Sequence, residues 1–589
     1  MLALLGFSGS LAVVGQLYQL QMVHGAESLQ KARMNTVVVE RFNAPRGRIF
    51  DSKGRLIVTN EPEFQLEGVV AEMPNLKKAI PEIAACLHIP ANKVSRPLRK
   101  AQIEGPLEPV TVAHGLTTEQ VVEATTLVRR IPGLRLSIRE RRRYIGPNMG
   151  AHMLGYTGEI TSDELKRLKP KGYVALDRLG KEGLEQEYDA YLRGQIGLRQ
   201  VAVDALGRTV RSQELRAPKP GAELVLNVDW HLQQVAEEAL AEALKEVAKK
   251  NGERSGGSAI VMEARTGRIR ALANLPQYDP RIFSRGIKSR EYRKLLEDPG
   301  IPLVFRAISS AFSPGSTFKL INSSASLDEK LCFPNSPFYC GGSYAGANCF
   351  VRSGHGHINF EQSLAVSCDV VYYMLGVRLG VDRLVRHAFM FGLGRLSGID
   401  IPGEVKGNLP TPAWKQKVWK DRWYEGDTVN LSIGQGFLLV TPIQMAVVTA
   451  AVANGGTVVR PHLVDKLVSY QGRVVRRISC QPARHLPYKA VNLAAVRAGM
   501  RGAVTYGTAT AVNSPLVHVA GKTGTVENTP SRENPHGRNH TWFVSFAPYE
   551  NPELVVVVFL EKTGGYGGSM AAPVARKVYD DYFAGRAHK

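Results

Sequence analysis

The run Phe312-Ser313-Pro314-Gly315-Ser316-Thr317-Phe318-Lys319-Leu320 places a hydroxyl and an amine one helical turn apart, immediately after a Pro-Gly breaker. A serine is a poor nucleophile until a base takes its proton, and a lysine is such a base when burial or a neighbouring cation lowers its pKa. The start of a helix also brings backbone N–H groups and the positive end of the helix dipole close to Ser316 Oγ, where the oxyanion of an acyl transfer would form. By itself the spacing says little, since Ser28 and Lys31 repeat it. Two further elements follow in order, Ser367-Cys368-Asp369 and Gly521-Lys522-Thr523-Gly524-Thr525. They add a second hydroxyl, a carboxylate and a second lysine flanked by threonines.

These groups need a scaffold, and the second half of the chain supplies the pattern for one. Arg216 to Gly221 reads RAPKPG, a linker. Beyond it, Leu224 to Val228 reads as a strand, and Asp229 opens an amphipathic helix that runs to about Lys249. Ser258 to Ala264 and Arg268 to Ala273 form a strand pair around the turn Arg265-Thr266-Gly267. His540 to Ala547 and Leu554 to Leu560 are two more β-rich runs, and Met570 to Phe583 is a closing helix. A sheet drawn from both ends of a domain, with helices between, is α+β. Lys562-Thr563-Gly564 repeats the lysine-threonine-glycine triplet, but it ends an apolar strand and precedes a Gly-rich turn, so Lys562 is read as a loop residue.

At 589 residues the chain exceeds one typical core and should hold two or more domains. Its net charge of +22 calls for an anionic environment. Zinc-finger spacing, ribonucleoprotein aromatics and a helix-turn-helix pattern are all missing, which disfavours nucleic acid and leaves a membrane surface or cell-wall polymer. Met1 to Val23 carries no charged side chain, and as a helix it spans roughly 33 Å, enough to cross a bilayer. No Lys or Arg precedes it while Lys31 and Arg33 follow, the reverse of the pattern for an outward-facing body, so a short cytoplasmic leader is expected to be missing. The expected domains are an anchor at 1–23, a non-catalytic region at 24–218 and a catalytic domain at 219–589. In the middle region, an arginine-dense run from Arg129 through Arg135, Arg139, Arg141, Arg142 and Arg143 reads as a solvated face.

With these residues in view, the chain resembles the class B penicillin-binding proteins, membrane-anchored transpeptidases of peptidoglycan synthesis. The serine-lysine, serine-x-polar and lysine-threonine-glycine set is the signature of that fold and of the serine β-lactamases. Arg46-Gly47 to Asp51 and Gly180-Lys181-Glu182-Gly183 resemble the family's pedestal motifs, and Ile433-Gly434-Gln435-Gly436 with Thr441-Pro442-Ile443-Gln444 its transpeptidase core. Trp414-Lys415-Gln416-Lys417, the run Trp423 to Thr428 and the aspartate at 369 are similar to the elongation type, with the septal type as runner-up.

The resemblance implies an elongated pedestal and a transpeptidase domain whose central antiparallel sheet is flanked by helices, on the periplasmic side of the cell inner membrane. It implies that Ser316 attacks the penultimate D-alanine carbonyl of a peptidoglycan stem peptide, with Lys319 as base and Ser367 as proton relay. Lys522, Thr523, Gly524 and Thr525 would hold the donor's terminal carboxylate, and the backbone N–H groups of Ser316 and Thr525 would form the oxyanion hole. Asp369 departs from the asparagine common in this fold and, when ionised, accepts hydrogen bonds without donating them, so it orients Lys319 or Ser367 instead. No cofactor is required for this chemistry. The implied partners are stem peptides, β-lactams and a membrane glycan polymerase of the rod-elongation type, with no nucleic acid. Rivals are a β-lactamase, for which no water-activating glutamate loop is found, a D,D-carboxypeptidase and a scaffold that regulates the polymerase.

Four of the six cysteines fall between Cys332 and Cys368, while Cys86 and Cys480 are isolated. Cys340, Cys349, His355 and Cys368 match no standard zinc-finger spacing, yet three thiolates and an imidazole suit tetrahedral zinc. The competing expectation is a disulfide such as Cys340 to Cys349, which an oxidising compartment favours.

Overall fold

The computed structural model describes residues 13–16, 18, 19, 22 and 37–587, apart from 107–108, 147–148, 175–176, 204–208, 479–482, 529, 532–533 and 535. The expected membrane span at 1–23 falls mostly outside the described residues, as does Cys480. Among the described residues no helix is long and apolar enough to cross a membrane. The chain forms two compact units, one of residues 1–47, 62–140 and 190–222, the other of 48–61, 141–189 and 223–589.

In the first unit, Leu66, Val70, Ile83, Leu87, Val94, Leu98, Ala124 and Leu127 form a core. They come from the end of the strand Leu56–Val69 and from the helices Leu76–Cys86, Ala91–Glu104 and Thr118–Arg130. The third of these helices opens with a reciprocal cap between Thr117 and Gln120, which satisfies two otherwise unpaired N–H groups. A separate three-stranded antiparallel sheet joins Val37–Phe42, Gly197–Val203 and Thr209–Arg216.

The second unit is built on a five-stranded antiparallel sheet. Its order is Ile269–Leu275, Gly257–Glu263, Leu554–Leu560, His540–Ala547 and Ala520–Val526. Strands from both ends of the domain therefore meet in the middle, as the apolar runs predicted. Leu554–Leu560 is buried along its whole length because it is central and covered on both faces. One face carries Trp230–Asn251 and the closing helix Ala572–Ala587, whose Val574, Ala575, Val578 and Tyr579 pack with Leu232, Ala236, Leu240, Phe543 and Val558. Asp229 caps the first of these helices by accepting from His231 N. Pro442–Ala453 is buried at all its positions, so its sequence shows no polar face.

The arginine run was expected to be a solvated face, and that reading needs correction. Those residues lie on the strand Leu134–Tyr144, and each described partner is a glutamate. Arg135 pairs with Glu72 at 2.9 Å, Arg139 with Glu67 at 2.9 Å and Arg141 with Glu61 at 2.6 Å. Arg142 is buried with its Nε 2.6 Å from Glu185, side chains 1% and 0% exposed, and its Nη1 donates to Asn60. A charge run reads as a solvated face when the chain is taken alone, because the glutamates that neutralise it are remote in sequence.

Candidate active site

Ser316 sits in a short segment pinned at both ends of its approach. Phe312 and Val440 exchange backbone hydrogen bonds at 2.9 and 2.8 Å, and Gly315 N donates to Gly434 O at 2.9 Å. Trp542 Nε1 donates to the Ser313 carbonyl at 2.9 Å, which ties the segment to the sheet. The turn Gly315–Phe318 is 3₁₀, with the α-helix Lys319–Asp328 beginning immediately after it. A regular α-turn from Ser316 to Lys319 was expected; a tighter turn brings i and i+3 nearly into line. Gly315 has φ 55°, and a Cβ there would stand 2.8 Å from the Thr525 carbonyl. A Cβ on Gly524 would meet the Pro314 carbonyl and Thr317 Cγ2, each at 2.9 Å. The two glycines therefore let the serine turn and the edge strand approach backbone to backbone.

Lys319 is fully buried. Its Nζ donates to the Ser367 carbonyl at 2.8 Å, Ser367 Oγ at 3.2 Å and Asp369 Oδ1 at 2.7 Å, which uses all three ammonium protons. The half-buried Ser316 makes no side-chain hydrogen bond. Lys522, on the edge strand Ala520–Val526, is also fully buried, with its Nζ 2.8 Å from Ser367 Oγ and 3.0 Å from the Thr523 carbonyl. The Ser367 hydroxyl thus stands between the two lysines. Ser367 has φ 57°, the left-handed region that costs a non-glycine residue about 1–2 kcal/mol. That conformation turns both its carbonyl and its hydroxyl toward Lys319.

Burial, and then the neighbouring Lys319 ammonium, push the Lys522 pKa well below the ordinary lysine value, with Asp369 acting the other way. Two ammonium groups within about 6 Å repel by about 3 kcal/mol at an effective dielectric of 20. A site with a single carboxylate neutralises one of them and favours loss of the other's proton. Asp369 lies in the first turn of the helix that starts there, and its second oxygen accepts from Phe350 N at 3.1 Å. Both carboxylate oxygens are thereby engaged. The Phe350 link was missed in the sequence; a backbone amide donor leaves no mark in residue identity. Thr523 Oγ1 bonds Thr508 Oγ1 at 2.8 Å, and Thr525 Oγ1 accepts from Gly567 N at 3.3 Å.

The other lysine-threonine-glycine triplet lies apart from this cluster. Lys562 follows the strand Leu554–Leu560 with φ 47°, donates its N–H to His540 Nδ1 at 3.0 Å and accepts from Asn251 Nδ2 at 2.8 Å on its carbonyl.

The ligand atoms of Cys340, Cys349, His355 and Cys368 all lie within 4.8 Å of one another. Two small hairpins, Pro337–Cys340 with Gly356–Asn359 and Ser343–Tyr344 with Ala347–Asn348, bring the first three together, and Cys368 arrives beside the second motif. His355 Nδ1 is 3.6 Å from both Cys340 Sγ and Cys349 Sγ. Tetrahedral zinc with bonds of about 2.0–2.3 Å sets its ligand atoms about 3.5–3.8 Å apart, so the donor set and spacing fit. Cys332, Cys340, Cys349 and Cys368 are free thiols, and the alternative disulfide between Cys340 and Cys349 is not formed. Cys332 stands outside the group, and burial pushes its pKa up to about 12.

Comparison with known proteins places this geometry in context. Residues 257–580 match the penicillin binding protein transpeptidase domain, and residues 41–226 match the penicillin-binding protein dimerisation domain. The Haemophilus influenzae peptidoglycan D,D-transpeptidase MrdA is 30% identical over 98% of this chain and 91% of its own. A solved structure described as "Structural coordination of polymerization and crosslinking by a peptidoglycan synthase complex" is similar at TM-score 0.74 and 30% identity, covering 99% of this chain and 98% of that one. The Pseudomonas aeruginosa PBP2 structure in complex with WCK 5153 is similar at TM-score 0.68 and 28% identity, over 92% and 96% of the two chains.

Proposed function

The chain belongs to the penicillin-binding protein family of peptidoglycan D,D-transpeptidases, and from that premise we propose how its own residues carry out the reaction. It is a serine D,D-transpeptidase of the elongation type, which cross-links stem peptides through an acyl-enzyme. The observation that carries the residue-level reading is the Ser367 hydroxyl bridging two buried lysines.

In the free site Lys319 is the ammonium paired with Asp369, and Lys522 is the lysine driven toward neutrality. Arrival of a donor peptide's terminal carboxylate beside Lys522 reverses that preference. Lys319 then passes a proton to Ser367 Oγ, and Ser367 passes its own to Lys522 Nζ. Lys522 becomes the cation that pairs with the carboxylate, and Lys319 becomes a free amine. Lys319 takes the proton of Ser316 as Oγ attacks the penultimate D-alanine carbonyl, and the N–H groups of Ser316 and Thr525 receive the oxyanion. Collapse breaks the peptide bond, and the leaving D-alanine amine takes the proton from Lys319. The amine of a second strand then attacks the acyl carbon, gives its proton to Lys319 and frees Ser316. Thr523, Gly524 and Thr525 line the carboxylate's place on the edge strand. Penicillins follow the first half of this path and stop at the acyl-enzyme.

We further place the 1–23 span in the cell inner membrane, with the catalytic domain on the periplasmic side. The partner we assign is a membrane glycan polymerase of the rod-elongation type. The support is the likeness to a chain of a peptidoglycan synthase complex that coordinates polymerization with crosslinking. Co-expression and co-purification in mild detergent should recover the pair, and recovery of the chain without a polymerase counts against it. The Cys340, Cys349, His355 and Cys368 set would hold a structural zinc that anchors the 340–356 loop behind the second motif and takes no part in bond making.

Mass spectrometry after penicillin treatment should find the adduct on Ser316, with Ser316→Ala unlabelled and Lys522→Ala impaired at least tenfold more than Lys562→Ala. An adduct elsewhere, or equal losses, would overturn the assignment. A lysine with a depressed pKa is a cation below that value and loses its charge as pH rises through it. Penicillin binding should therefore weaken with rising pH well before the ordinary lysine value of about 10.4. Lys522→Arg, which stays charged, should flatten the profile, and a wild-type profile that is already flat would contradict it. Elemental analysis of the purified protein should give one zinc per chain, lowered by Cys349→Ser together with the acylation rate; a metal-free protein acylated at the full rate removes the zinc.

A further inference from the structure

The segments Trp414–Lys417 and Trp423–Thr428 are not used by the chemistry above, yet the fold spends a buried charge cluster on them. Lys415 is only 6% exposed, with its Nζ 2.7 Å from Asp427 Oδ2 and 3.1 Å from Asp421 Oδ2. The ammonium lies 4.6 Å from the Tyr424 ring centroid and 5.7 Å from that of Phe437. Tyr424 is fixed further, since its N–H donates to Asp427 Oδ2 at 2.8 Å and its hydroxyl to Asp421 Oδ1 at 3.0 Å. Trp414 and Trp419 both pack on Phe437, with centroids 5.4 and 5.3 Å away. The surface that this framework holds in place is open to solvent: Trp419 is 59% exposed and Tyr424 45%. Burying a lysine between two carboxylates contributes little net stability. A desolvated ion cluster beneath exposed aromatic rings is an arrangement that preorganises those rings for contact.

Its place in the fold ties the shelf to the nucleophile. The loop that carries Phe437 leaves Gly434, which bonds Gly315, and returns to Val440, which bonds Phe312. Both ends are fastened to the segment that delivers Ser316. Phe437 is three residues from Gly434, so it lies within about 11 Å of that contact along the chain. A stem peptide of roughly four residues between its sugar and the scissile bond reaches about 14 Å when extended. The sugar of a donor whose carbonyl is at Ser316 is thus within reach of these rings. A pyranose offers an apolar C–H face with a polar rim, which matches aromatic rings rimmed by Asp421.

We propose that Trp419, Tyr424 and Phe437 form a subsite for the pyranose ring of the glycan strand that carries the acyl-donor stem peptide. This deepens the transpeptidase reading and rests on it. The subsite makes the enzyme recognise its donor at two points, the terminal carboxylate and the sugar, and so prefers peptides still attached to glycan.

The test compares two donors with the same stem peptide, one free and one attached to the N-acetylated disaccharide, each competing with fluorescent penicillin for Ser316 in the full-length detergent-solubilised protein. The wild type should bind the glycan-bearing donor about tenfold more tightly, a difference of about 1.4 kcal/mol. Trp419→Ala should bring the ratio of the two affinities close to one, while Trp419→Phe, which restores a ring, should recover most of it. Equal affinities in the wild type, or an undiminished ratio in Trp419→Ala, would overturn the subsite. A parallel loss for both donors would assign the rings to the peptide instead and overturn it equally. Penicillin labelling separates the two readings: if Ser316 is not labelled the transpeptidase assignment fails, whereas labelling with a ratio of one sinks only the glycan subsite.

Discussion

Two lysines with no exposed surface share one serine hydroxyl, and one carboxylate stands beside them. This is the constraint on which the rest of the catalytic unit depends. Low-dielectric surroundings make two adjacent ammonium groups unfavourable, and Asp369 compensates only one of them. The site therefore holds one proton fewer than its amines could carry, and Ser367 is the route by which that proton can move. Placing a neutral amine and a charged one within a hydrogen bond of the same hydroxyl makes a lysine usable as a base near neutral pH. An exposed lysine would stay protonated there.

The surrounding structure keeps these groups in register. The second lysine comes from an edge strand, the first from the helix after the serine turn, and Ser367 from a residue held at positive φ between two helices. Glycines at 315 and 524 remove the side chains that would hold the turn away from the strand. Asp369 fixes Lys319 with one oxygen and the Phe350 amide with the other, so the cysteine-containing loop and the catalytic lysine are joined through a single side chain. An asparagine at 369 could not accept from both donors at once without turning its own N–H₂ toward one of them.

Much of this scaffold was legible in the sequence because it is local. The strands His540–Ala547 and Leu554–Leu560 and the helix that begins after Asp229 follow from runs of apolar residues, their period and a capping aspartate. The four residues of the cysteine–histidine set could be named because few residue types bind zinc. What the sequence did not reveal depends on contacts between remote segments. The 3₁₀ turn at Ser316, the left-handed Ser367 and the burial of Arg142 against Glu185 are imposed by tertiary packing. The three bonds that Lys319 makes, none of them to Ser316, also follow from where Ser367 and Asp369 fall in space.

The most direct test of the shared-hydroxyl account is the rate constant for acylation of Ser316 by penicillin in the Ser367→Ala variant, measured by rapid quench. Nucleophile, both lysines and Asp369 all remain in that protein, and only the bridge between the amines is removed. The account predicts a fall of at least about 100-fold, the scale of a lost proton-transfer group, with the thermal midpoint held near that of the wild type. Acylation at close to the wild-type rate would contradict it.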